Sequence, residues 1–158
     1  MKRSILILLV LALLFPAGSA VAKKKGKKAP KPWTSEEGTI AVAHPVFYST
    51  SGDLISVTMQ ELKNTCAMPA SQGLDAFIVE VPAEYQKIAA TATATGSSAG
   101  AGGYDLDVFF FDSGCNILAA SQNTGTDEVA FMPAGTAWIG VGNYLADPNV
   151  GVQVELKP

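Results

Sequence analysis

The stretch YDLDVFFFDSGCNILAAS, residues Tyr104–Ser121, decides the fold. From Tyr104 to Phe111 two rows alternate: Leu106, Val108 and Phe110 on one side, and Asp105, Asp107, Phe109 and Phe111 on the other. Successive side chains of a strand point to opposite faces, so this segment reads as a strand with its uncharged row toward a core. Asp112-Ser113-Gly114 reads as a turn in which Asp112 bonds the backbone and Gly114 takes a positive φ. Asn116 to Ala120 is the return strand. Asp105 and Asp107 then form the solvated side, and the Phe109–Phe111 end needs a cover from a loop or from the Trp33–Val42 segment.

The same period recurs outward from this hairpin. Asp53 to Gln60 sets Ile55, Val57 and Met59 against Ser56, Thr58 and Gln60, and reads as a strand. Leu74 to Val81 is a denser apolar run ended by Pro82. Ile88 to Thr95 alternates strictly, with Ala90, Ala92 and Ala94 opposite Thr91, Thr93 and Thr95, and the small alanines predict a closely packed neighbour. GSSAGAGG (Gly96–Gly103) reads as a flexible loop. Glu128 to Met132 and Ala137 to Tyr144 flank Pro133-Ala134-Gly135, and Val150 to Leu156 closes the chain with Val150, Val152, Val154 and Leu156 on one face. Trp138 and Tyr144 read as packing residues. No long stretch keeps helical spacing. About eight strands, each wet on one side, predict an all-β chain: an antiparallel two-sheet sandwich, jelly-roll-like.

The N-terminus carries different information. Lys2 and Arg3 precede an apolar run, Ile5–Phe15, broken by Pro16 and Gly18, and Ala20-Val21-Ala22 offers small residues for a signal peptidase. Residues 1–22 read as a secretory signal peptide cleaved near Ala22. The run is shorter than the roughly 20 residues of a membrane span, and no later segment replaces it. The expected product is a secreted protein, extracellular or periplasmic. Residues 23–34 are expected to be a disordered Lys/Pro-rich linker, since their lysines repel and bury no apolar surface. Residues 35–158 form the expected domain. From Trp33 onward, three lysines stand against all 14 acids, a net −11, beneath an overall charge of −3. An acidic body disfavours nucleic acid as a partner. The basic tail suits a solubilising spacer or a tether to an anionic surface.

Cys66 and Cys115 are the two cysteines, and two thiols in a small exported domain usually pair. Closing a loop of about 50 residues is worth roughly 4 kcal/mol on the chain-entropy account. Two cysteines and one histidine, His44, are too few for a usual zinc set. Catalytic triads need a base within reach of a nucleophile, and no G-x-S-x-G elbow is present. Asp105 and Asp107 project from one strand face, whereas glycosidase carboxylates flank a sugar from two sides, so a carboxylate-dependent hydrolase is the unfavoured alternative and no catalytic residue is assigned. Calcium suits these oxygens better: Asp105, Asp107 and Asp112 are the candidate metal residues, with Asp75, Asp127 and Glu128 able to approach from other segments.

Residues from about Gly73 to Leu156 also resemble the bacterial pre-peptidase C-terminal domain. YDLDVFFFDSGCNILAAS stands where that family has a strand–turn–strand of the type DLDLYLYDSNGNLLA, and MPAGTAWIGVGNY is similar to its PAGTYYVRV. GLDAFIVEVP suits the apolar strand that comes before. The resemblance implies a secreted, noncatalytic β-sandwich with a binding or structural role. In some members such modules are linked to calcium or to polymeric substrates, which makes a calcium-stabilised adhesion or polymer-binding domain the alternative. The expected partner is an extracellular protein or polymer.

Overall fold

The fold, obtained as a computed structural model, describes residues 28–41, 46–48, 54–65, 75–145 and 147–158. The expected signal peptide with its expected cleavage site, most of the lysine tail, His44 and Cys66 lie outside the described residues. Within them the strands are β1 (Trp33–Thr34), β2 (Gly38–Ile40), β3 (Val46–Tyr48), β4 (Leu54–Ser56), β5 (Ala76–Glu80), β6 (Ala90–Ser97), β7 (Leu106–Phe111), β8 (Ile117–Ser121), β9 (Asp127–Met132), β10 (Trp138–Asn143) and β11 (Val150–Lys157), with one helix, α1 (Val57–Thr65).

One sheet runs β1-β11-β6-β9, with β2 beside β1 on β11, and the other runs β5-β10-β7-β8. All pairings are antiparallel. Apart from the β7–β8 hairpin, each step from β5 to β11 crosses from one sheet to the other, the winding of a jelly roll. The sandwich expected from the sequence is present, and β5 to β11 fall where its last seven strands were placed.

Between the sheets lies a core of alternate residues. Ala90, Ala92 and Ala94 of β6 and Val150, Val152, Val154 and Leu156 of β11 meet Leu106, Val108 and Phe110 of β7 and Ile139 and Val141 of β10. The five-stranded sheet keeps its outer face wet, so β9 alternates exposed and buried throughout. The four-stranded sheet does not. All six residues of β7 are buried, because a second apolar cluster sits on its outer face. Strands covered on both faces read as continuous apolar runs, which explains Phe109-Phe110-Phe111.

The cover is α1, and here the sequence reading is corrected twice. Asp53–Gln60 was expected to be a strand, but the chain turns helical at Val57. The row Ile55, Val57, Met59 gives way to Ile55, Met59, Leu62, spaced by four and three, and these three pack on Ala76, Ile78, Phe109 and Phe111. The cover over Phe109 and Phe111 is therefore residues 55–62, not the Trp33–Val42 segment. Ser56 caps the helix, its Oγ accepting from Met59 N at 3.2 Å. Asp75 completes the cap, accepting from Thr58 N at 3.2 and 3.3 Å and from the Thr58 hydroxyl. Glycine on β10 makes the seat: a Cβ at Gly140 would lie 2.7 Å from Met59 Sδ, and one at Gly142 would lie 3.0 Å from Met59 Cε. Among the described residues no helix is long and apolar enough to cross a membrane.

The N-terminal linker also ends earlier than expected. Trp33 and Thr34 form β1 opposite Leu156 and Glu155, and the Tyr85 hydroxyl donates to Lys31 O at 2.8 Å and Leu156 O at 3.0 Å.

Candidate functional site

The three aspartates picked out by the sequence separate into a buried pair and a turn residue. Asp105 and Asp107 are 8% and 7% exposed, so the row expected to be solvated is covered. The cause is α1, which occupies the outer face of this sheet. Asp112 lies seven residues along the strand from Asp105, a span of about 23 Å at strand rise. It belongs to the β7–β8 turn, accepting from Asn116 N at 2.9 Å and from Asn116 Nδ2 at 3.2 and 3.1 Å. The Asn116 backbone bond, then the Asn116 side chain, hold its carboxyl below the ordinary value. The positive φ expected at Gly114 falls instead on Cys115, at 61°. Gly114 is needed for space, since a Cβ there would stand 3.0 Å from Asn116 Nδ2 and 3.2 Å from Asp112 Oδ1.

Around the buried pair the polar groups are used up internally. Asp105 Oδ1 accepts from Gly125 N at 2.6 Å, and Asp105 N donates to Asn143 Oδ1 at 3.0 Å. Gln122 hydrogen-bonds the Asp107 carboxylate. Glu128, 2% exposed, accepts from Asn123 Nδ2 at 2.7 Å. Asp127 reaches Gly96 N at 3.4 Å, on the wet side of β9. Burial, then the neighbouring Asp105 charge, with a smaller contribution from Glu128, push the Asp107 carboxyl up to about 7, against a lowering by Gln122. Two carboxylates on one covered face cannot both ionise cheaply, so one keeps its proton near neutrality.

Beside Asp107 is a small cavity of about 10 Å³ under α1, shared with Ser56, Asp75 and Asn143. That is room for about one water molecule. Among the described residues no three His, Cys, Asp or Glu side chains come together in a way that holds a metal ion.

Two residues central to this end of the sandwich carried no obvious sequence signal. Asn143 donates to Asp147 O at 2.8 Å while accepting from Asp105 N and Leu145 N. Asp147, 5% exposed, accepts from Ser98 Oγ, Gly102 N and Gly103 N at 3.1, 2.8 and 3.0 Å, pinning the glycine-rich loop read as flexible. Asn143 interrupts the apolar alternation of WIGVGNY, the one hint available. Of the two residues read as packing, Trp138 packs on the α1 cluster while Tyr144 is 43% exposed. Cys115 is buried, and no free cysteine occurs among the described residues.

A larger concavity lies at the opposite end of the chain's path, where Lys28–Trp33 runs past the Glu84–Ile88 turn and encloses about 960 Å³ of open groove. No known family model matches this chain, and no curated protein matches it.

Proposed function

We propose that this is an exported, noncatalytic β-sandwich module that binds or supports material outside the cytoplasm, as its resemblance to the pre-peptidase C-terminal domain implies. The observation that carries the reading is the state of its acids. Asp105, Asp107 and Glu128 are buried and hydrogen-bonded, and the space beside Asp107 takes about one water. A hydrolase needs its carboxylates open to a substrate-sized cleft. A signal peptide over residues 1–22 and a Cys66–Cys115 bridge, which forms in oxidising compartments, belong to the same proposal.

The test is to mix the protein, begun at Lys23, with the insoluble envelope fraction of the producing cell. Cosedimentation, retained by the Asp105→Asn/Asp107→Asn variant, is expected. Protein that stays in the supernatant at every salt concentration overturns the binding reading. Release of soluble fragments that depends on Asp107 establishes the hydrolase instead.

A further inference from the structure

The groove between the entry segment and the Glu84–Ile88 turn is a built feature. Buried Tyr85, within that turn, anchors the entry segment: its hydroxyl holds Lys31 O and Leu156 O together, and Tyr85 N donates to Pro82 O at 2.8 Å to close the turn. Burial and the nearby Glu84 and Glu155 charges push the Tyr85 hydroxyl up, so it remains a donor. Trp33 packs against the core and also lines the groove, next to Pro30 and Ile88. Lys28, Lys31 and Lys87 rim it, all exposed. None of the three ammonium groups makes a hydrogen bond or ion pair among the described residues, and Glu84 is the one acid on the rim.

An apolar, partly aromatic floor between unpaired cations fits a ligand with flat C–H faces and regularly placed carboxylates. We infer that this groove binds a strand of acidic polysaccharide, with sugar rings against Trp33 and Pro30 and carboxylates at Lys28, Lys31 and Lys87. This rests on the binding-module reading and names its ligand class. A glycan is favoured over nucleic acid because Trp33 is the one aromatic side chain among the described residues that line the groove, too few to stack successive bases. It is favoured over a bilayer because the site is concave.

The test uses the protein begun at Lys23 and an oligogalacturonate as probe, followed by calorimetry. Binding is expected to fall steeply between about 0.05 and about 0.3 M salt. The Lys31→Gln/Lys87→Gln variant should lose roughly tenfold or more in affinity, the scale of lost charge-assisted bonds. Trp33→Phe, which keeps an aromatic ring against the core, should weaken binding while leaving the circular dichroism unchanged. Absence of binding by folded protein overturns the inference, as does an affinity unchanged in the lysine variant. Preference for single-stranded DNA or for phosphatidylglycerol vesicles over the glycan overturns it too. If the glycan fails while envelope cosedimentation persists, the groove assignment falls and the binding module stands; if both fail, both fall.

Discussion

Replacing Asp107 with asparagine tests the buried acid pair directly. The Asp107 carboxyl has an ordinary value of 3.8 and sits at about 7 in the fold. A folded-state value above the unfolded one means the folded chain binds a proton that the unfolded chain has released, between pH 3.8 and about 7. Across that window the contribution of this group to stability falls as pH rises, by about 1.4 kcal/mol per pH unit, and it stays at its low level above. Roughly three pH units give a ceiling of about 4 kcal/mol, and water entering the small cavity reduces the realised value to about 2–4 kcal/mol. Asparagine keeps the shape and a carbonyl for Gln122, but it does not titrate. Beside it remain Asp105, Glu128 and Asp75, so Asp105→Asn should move the window toward lower pH by removing the nearest charge. The measurement is urea unfolding, followed by tryptophan emission, at pH 5 and pH 8. Asp107→Asn should exceed the wild type by about 2–4 kcal/mol at pH 8 and by much less at pH 5. A difference between the two proteins that is the same at both pH values refutes the reasoning.

Three further outcomes follow from the same geometry. Gly140→Ala drives a Cβ toward Met59 Sδ at 2.7 Å and Ile78 Cδ1 at 3.2 Å, and should cost about 1–3 kcal/mol by overpacking the α1 seat, read as a lower urea midpoint. If Cys66 and Cys115 are bridged as proposed, reduction should lower stability by about 2–4 kcal/mol, with Cys115→Ser giving the same loss and no further response to reductant. Calcium should leave the melting temperature equal to that in chelator, because the Asp105–Asp107 pair is satisfied by a proton and internal donors; a rise that saturates with calcium contradicts this account.

How much of this was legible depends on which side of a strand was covered. For β6, β9 and β11 one face meets the core and the other meets water, so polar and apolar residues alternate and the strands can be read directly. The four-stranded sheet carries a second layer, and the three adjacent phenylalanines of β7 were its trace. That layer was missed because Ile55, Val57 and Met59 satisfy a period of two as well as Ile55, Met59 and Leu62 satisfy a helix. Eight or nine residues do not separate the two periods, and the tertiary seat made by Gly140 and Gly142 decides the outcome. The acid site was misjudged for the same reason. Without α1 over it, Asp105-Leu106-Asp107 is an ordinary wet strand. The linker was misplaced by composition: Trp33 and Thr34 follow a lysine- and proline-rich run, yet they find free edge on β11, a pairing that no local pattern encodes.

The cover and the carboxylates are therefore one feature. Laying α1 on the sheet buries Phe109 and Phe111, each fully apolar and each worth about 1.5–3 kcal/mol removed from water. The same act carries Asp107, on the same face, out of solvent, at a penalty of similar size once pH passes its raised value. Asp75 shows how the fold manages a third acid at this spot: it is placed at the helix N-terminus, where Thr58 N and the partial positive charge of the first turn suit a carboxylate. Asp107 has no such donor from the helix and relies on Gln122 and a proton. A face built this way closes over its acids, whereas the basic groove at Trp33 keeps its cations in water. Charge that must meet an outside ligand has to remain exposed in this manner. The two ends therefore differ: at one, acids are closed into the fold, Asp75 as a helix cap and Asp107 at a cost above its raised value, and at the other Lys28, Lys31 and Lys87 stay exposed.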